Sequence, residues 1–155
     1  MRYTVPVAIV RMLHVALGVA NLDRALAFYR DALGFTVVAR DTFDEARVRC
    51  VLGVNEGPVE AVLLRREGFV LQLLQPATES TSAPLGSPLR AHLALAVDDL
   101  ASTMHSLRDR GIAVEEETLV EHAPGVRSCI VRDPDGLAVL LSEFPAGVAT
   151  AWDDE

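Results

Sequence analysis

Two histidines stand in matching places: His14 opens the run His14-Val15-Ala16-Leu17-Gly18-Val19, and His92 opens His92-Leu93-Ala94-Leu95-Ala96-Val97. An imidazole nitrogen can bind a metal or carry a proton, although a lone histidine in an apolar strand is more often a satisfied core residue. Two histidines at equivalent positions of a repeat differ from one. If the halves pair about a pseudo-two-fold axis, equivalent residues meet near that axis, which is the arrangement a shared metal ion requires. The last strand of each half would complete the set, four residues beyond a turn glycine: Gln72 after Gly68, and Leu140 after Gly136. Gln72 lies between Leu71 and Leu73, and an amide in so apolar a strand needs partners, which a metal, the backbone or water would supply. Glu60 is a weak candidate for a general base, provided the hairpin register turns it inward; a shift of one residue would leave it solvated. Arg49, His122 and Arg127 are candidates for meeting an anionic substrate at a rim, though surface charges of this kind more often do nothing specific.

The elements that must position these residues repeat as well. The two histidine runs register without a gap at an offset of 78, from position 14 to position 92, and the match continues through Leu22 with Leu100, Arg30 with Arg108 and Asp31 with Asp109. Self-similarity over half the chain means two copies of one supersecondary unit. Each copy opens with a strand whose large side chains (Leu13, Val15, Leu17, Val19) alternate with His14, Ala16 and Gly18. A helix follows in each: Leu22, Ala25, Leu26, Tyr29 and Leu33 form an apolar stripe ended by Gly34, and Leu100, Met104 and Leu107 form another, capped by Asp98 or Asp99 and ended by Gly111. The large-residue strand face therefore packs under a helix, and the small-residue face with the histidine looks away from the helices into a cavity that Ala16, Ala94 and Leu140 help to line.

The remaining strands are expected at 35–40, 59–65 and 69–75 in the first half, and at 114–117, 126–132 and 137–144 in the second. Tight turns are expected at Glu67-Gly68 and Asp133-Pro134-Asp135-Gly136. Residues 41–53 read as a short helix inserted in the first half. The modules are placed at about 10–76 and 89–145, with a Ser/Thr/Pro-rich linker at 77–88 and a tail at 146–155.

Half of the 155 residues are hydrophobic, enough for a real core. The net charge of −8 and pI of about 4.9 disfavour nucleic acid and anionic membrane surfaces as partners. No apolar run approaches a membrane span, so a cytoplasmic protein is expected. Cys50 and Cys129, isolated from one another, read as buried free thiols.

Four segments together carry a family resemblance: His14-Val15-Ala16-Leu17, Phe28 to Phe35, His92 to Asp99, and Arg132-Asp133-Pro134-Asp135-Gly136. They resemble the vicinal-oxygen-chelate superfamily, which includes glyoxalase I, methylmalonyl-CoA epimerase, extradiol dioxygenases, fosfomycin-resistance enzymes and the bleomycin-binding proteins. The resemblance covers nearly the whole chain. It implies an α+β fold of two tandem βαβββ modules forming a curved mixed-sheet cup with helices outside, in a homodimer. It also implies a divalent metal (Zn²⁺, Fe²⁺, Mn²⁺ or Ni²⁺) chelating neighbouring oxygens of a small-molecule substrate. Carried over residue by residue, the ligand positions are His14, Gln72, His92 and Leu140.

The fourth position departs from the family, whose metal-binding members place glutamate there. Three readings stay open: three protein ligands plus water, with weakened affinity; a metal-free cup for an organic ligand; or a replacement carboxylate from Glu143, which would need a bulge because it alternates away from position 140. The functional expectation is a glyoxalase-like metal-dependent lyase, isomerase or dioxygenase of a small oxygenated metabolite. The alternative is a metal-free protein that binds an antibiotic or hydrophobic metabolite, as the bleomycin-binding relatives do.

Overall fold

A computed structural model describes residues 13–52, 57–77 and 92–147, with the side chains of Arg49, Cys50, Val51, Leu52, His92 and His122 outside the description. Nearly all of the expected linker and most of the tail also lie outside it. The elements run β1 (Val15–Gly18), α1 (Leu22–Leu26) continuing as a π-helical stretch (Ala27–Ala32), β2 (Thr36–Phe43), α2 (Glu45–Leu52), β3 (Val59–Arg66) and β4 (Phe69–Pro76). They continue with β5 (His92–Val97), α3 (Leu100–Asp109), β6 (Val114–Ala123), β7 (Val126–Arg132) and β8 (Ala138–Glu143). The strands form two mixed four-stranded sheets, ordered β1-β4-β3-β2 and β5-β8-β7-β6. In each, the first strand runs parallel to the last and the remaining pairs are antiparallel. The architecture is α+β, built from tandem modules.

Contacts divide the chain into two compact units: 1–22 with 33–80, and 23–32 with 81–155. The helical stretch of the first half therefore clusters with the strands of the second.

Local chemistry accounts for the elements. Asp99 caps α3, its side chain accepting from the Ser102 N–H at 2.9 Å, and Leu100, Met104 and Leu107 are the buried stripe. After both helices the chain turns through a glycine in the left-handed region, Gly34 and Gly111 each at φ 76°, which a residue with a Cβ adopts only under strain. α1 departs from the expected regular helix. It continues as a π-helical stretch in which Phe28 and Tyr29 are both buried, their rings edge to face at 5.0 Å. The inserted helix forms at Glu45–Leu52.

β2 and β6 run longer than expected. Both are edge strands; β2 gains exposed Asp41 and Thr42 and buried Phe43, and β6 gains a stretch that includes exposed Leu119, Val120 and Glu121. Charged side chains such as Asp41 and Glu121 read as loop in sequence but protect a sheet edge. Among the described residues, no helix is long and apolar enough to cross a membrane.

Candidate functional site

In the first unit, β1 lies beside β4 with Ala16 opposite Gln72, and β3 lies on the other side of β4 with Leu63 opposite Gln72. Residues directly opposite share a sheet face, so Ala16, Gln72 and Leu63 form one row. His14 precedes β1 by one residue and, two positions before Ala16, has the same parity. Ala16 and His14 are exposed and Gln72 is half-buried. Among the described residues neither the His14 imidazole nor the Gln72 amide has a hydrogen-bond partner. One end of this face is closed by α2: Phe43, Val59, Ala61 and Leu74 pack with Val48 of that helix into a buried cluster. Arg47 of α2 lies over the Phe43 ring at 4.0 Å and pairs with Asp41 at 2.6 Å.

Glu60 sits on the other face. The β3–β4 register runs unbroken from Val59 opposite Pro76 to Arg66 opposite Phe69, so alternation groups Glu60 with Val62, Leu64 and Arg66. On this face the Arg66 guanidinium reaches the carbonyl of Gly34 (3.0 Å). The Glu60 carboxylate is exposed and accepts a hydrogen bond from Thr42 Oγ1 at 2.9 Å. Its partner across the ladder is Gln75, whose Oε1 accepts the backbone N–H of Leu22, the first residue of α1 (2.5 Å).

In the second unit His92 opens β5 with its backbone opposite Ala138, and Ala94 stands opposite Leu140, which has Ile130 on its other side. Leu140 is half-buried, whereas Val139 and Leu141, its neighbours on the opposite face, are fully buried. β8 keeps register with both neighbours from Ala138 to Glu143. The bulge that would bring Glu143 to the face of Leu140 is therefore absent. Glu143 instead accepts the N–H of Leu100 at the start of α3 (2.6 Å) and both its oxygens face Arg127 Nη2 at 3.0 Å. The Leu100 N–H first, and the Arg127 guanidinium second, hold its carboxyl below the usual carboxylate range. The reading in which Glu143 replaces the missing ligand is thus excluded by register. Arg127, considered above for an anionic substrate, is occupied by this pair.

Gln75 and Glu143 do the same thing in the two halves: each stands three residues beyond its ligand-position residue and caps the first backbone N–H of its half's helix. The sequence signal was a polar residue repeated at that spacing after Gln72 and Leu140.

The Asp133-Pro134-Asp135-Gly136 turn is also structural. The buried Asp133 carboxylate accepts the N–H groups of Asp135 (2.9 Å) and Leu137 (2.8 Å) and the hydroxyl of fully buried Tyr29 (2.7 Å). Burial and the facing carboxylate raise the Tyr29 phenol above its ordinary range. Cys129 is buried and its thiol is raised by that burial.

The donor chemistry of the first-unit face suits a borderline divalent cation: one imidazole nitrogen and one amide oxygen, neither engaged among the described residues. Among the described residues no three His, Cys, Asp or Glu side chains cluster.

Comparison with known proteins follows the same lines. The family model described as "Glyoxalase/Bleomycin resistance protein/Dioxygenase superfamily" matches residues 11–141. A probable lactoylglutathione lyase, chloroplastic, of Arabidopsis thaliana is 29% identical over 134 residues, covering 86% of this chain but 35% of the plant protein, so the chain spans about a third of that relative. A lactoylglutathione lyase of Neisseria meningitidis is 29% identical over 138 residues, covering 88% of this chain and 93% of that protein. The crystal structure of a glyoxalase family protein from Bacillus cereus superposes with a TM-score of 0.73 at 22% identity, over 88% of this chain and 95% of that one, a likeness of fold. With its histidine-led repeat, two mixed sheets and family match over most of its length, the chain belongs to the glyoxalase/bleomycin resistance protein/dioxygenase superfamily.

Proposed function

We propose that this protein is a metal-dependent lyase or isomerase of a small oxygenated metabolite, with His14, Gln72 and His92 as the protein ligands of a divalent cation. The observation that carries the reading is the row Ala16-Gln72-Leu63 beside His14, where two donors without a partner among the described residues share a face on which Ala16 and Gly18 are small and exposed. Relatives bearing the name lactoylglutathione lyase support the lyase class. A divalent ion bound there would polarise neighbouring substrate oxygens and ease removal of a proton alpha to a carbonyl. Ala16 and Gly18 leave room for substrate, and Gln72 contributes an oxygen without a charge. Glu60, on the face opposite Gln72 and bonded to Thr42, is not the base of this scheme.

The second reading, a metal-free binder of an apolar or aromatic small molecule, is favoured by one specific observation. Leu140, at the position equivalent to Gln72, presents a half-buried hydrocarbon beside Ala94 where a ligand atom would be needed.

Elemental analysis after purification without chelator or affinity metal separates the two. Near-stoichiometric metal that is lost in both His14→Ala and His92→Ala is expected. No metal after exposure to Zn²⁺, Mn²⁺, Fe²⁺ and Ni²⁺ would sink the enzyme reading and leave the binder.

A further inference from the structure

The chain contains no lysine, and its 14 basic residues, all arginine, are outnumbered by 22 acidic ones. In so acidic a protein the expected fate of a guanidinium is an ion pair, and nearly every described arginine has found a carboxylate or a carbonyl. Among the described residues, Arg40 and Arg65 are the arginines without a partner. They lie on different faces. Arg40 stands opposite Val62, on the face of Glu60. Arg65 alternates with Arg66, whose side chain is bonded to the Gly34 carbonyl on the opposite face, and so shares the face of Leu63, Gln72 and Ala16.

Leu63 is directly opposite Gln72, which makes Arg65, two residues on, the diagonal neighbour of Gln72, at about 7–8 Å and within reach of a long side chain. The other end of the same face is closed by α2 and its cluster of Phe43, Val48, Val59, Ala61 and Leu74. Continuing the β1–β4 register one residue back sets His14 level with Val70, whose partner on β3 is Arg65. The face therefore carries hydrocarbon at the α2 end, the Gln72 amide in the middle, and at the hairpin end the His14 imidazole and, two strands away, a guanidinium unpaired among the described residues. Glu67, two residues beyond Arg65 in the hairpin turn, makes no ion pair with it.

We infer that Arg65 is a specificity-determining residue that holds an anionic group of the substrate, so that the substrate class is a chelating oxygen pair with a carboxylate or phosphate about one strand-spacing beyond it. A planar guanidinium accepts either oxyanion through two parallel hydrogen bonds. The inference rests on the metal-site reading above and extends it to the substrate.

The test uses the full chain loaded with Mn²⁺ and two probes with the same 2-oxo acid head, pyruvate and 2-oxoglutarate, which differ in a distal carboxylate. Metal affinity is measured first, on wild type, R65Q and R65K. Wild type is expected to bind 2-oxoglutarate at least tenfold more tightly than pyruvate. R65Q is expected to lose that preference with pyruvate and Mn²⁺ affinities unchanged, and R65K, which keeps the charge without the fork, to retain part of it. Equal affinities for the two probes in wild type, or an R65Q protein that keeps the preference, overturns the role of Arg65 while leaving the metal site standing. Failure of wild type to bind Mn²⁺ overturns the metal-site reading itself, and this inference with it.

Discussion

At the scale of single residues, the two halves offer different chemistry at one position. Gln72 and Leu140 occupy equivalent places on their last strands, each opposite an alanine of the first strand, Ala16 and Ala94. One supplies a neutral oxygen and the other no donor at all. A carboxylate at either place would add charge to the proposed ligand set, and metal affinity rises with ligand charge. Leu140→Glu is therefore expected to raise Zn²⁺ affinity by tenfold or more in a competition titration with a chromophoric chelator, and Gln72→Leu to lower it by a similar factor. An L140E protein with unchanged affinity would argue against a metal among these positions. The identity of both residues was legible in the sequence, and so was their distance from a turn glycine. Their surroundings were not: whether Glu60 joins them depends on hairpin register, a one-residue matter that decides the face of every side chain in the strand.

At the scale of elements, helix starts and ends are where the strands intervene. Glu143 satisfies the Leu100 N–H and pairs with Arg127. Its folded carboxyl is depressed, so its contribution to stability is complete above the ordinary carboxylate range and disappears as pH falls through its folded value. Urea midpoints of wild type and Glu143→Gln should accordingly differ at neutral pH and converge on acidification. A gap that stays constant with pH would remove the charged cap from the account.

At the helix ends, Gly34 and Gly111 share φ 76°, but only Gly34 has the Arg66 guanidinium against the place a Cβ would take, while Gly111 faces open space. Gly111→Ala should cost about 1–2 kcal/mol, the left-handed strain alone. Gly34→Ala should cost more, because displacing Arg66 also breaks its bond to the Gly34 carbonyl; equal losses on denaturant titration would show that Arg66 contributes nothing. The end glycines and a cap at Asp98 or Asp99 were readable from the local sequence, because their physics is local, and the structure selects Asp99. The Gln75 and Glu143 caps were not, because each comes from a strand far along the chain.

At the scale of the whole molecule, residues 23–32 cluster with the second half's strands and not with their own sequence neighbours. The Tyr29 hydroxyl and the Asp133 carboxylate, 104 residues apart, are the buried hydrogen bond that ties this stretch to the β7–β8 turn. Removing the hydroxyl leaves a buried carboxylate short of one donor, a loss of about 1–3 kcal/mol. Tyr29→Phe should lower the unfolding free energy by that amount without altering the family fold; an unchanged midpoint would mean that water replaces the phenol.

The amino-acid sequence by itself determined the repeat, the α+β strand and helix order, the histidine at the head of each half and the absence of a donor at Leu140, because periodicity, turn chemistry and side-chain identity are local properties. Tertiary structure decided the face of Glu60, the engagement of Glu143 and Arg127, the burial of Phe28 beside Tyr29 in a π-helical stretch, and the placing of Arg65 on the face of Gln72. Each of these depends on which strand lies alongside which, and in what register, so each is settled only when residues distant in the chain are brought into one sheet.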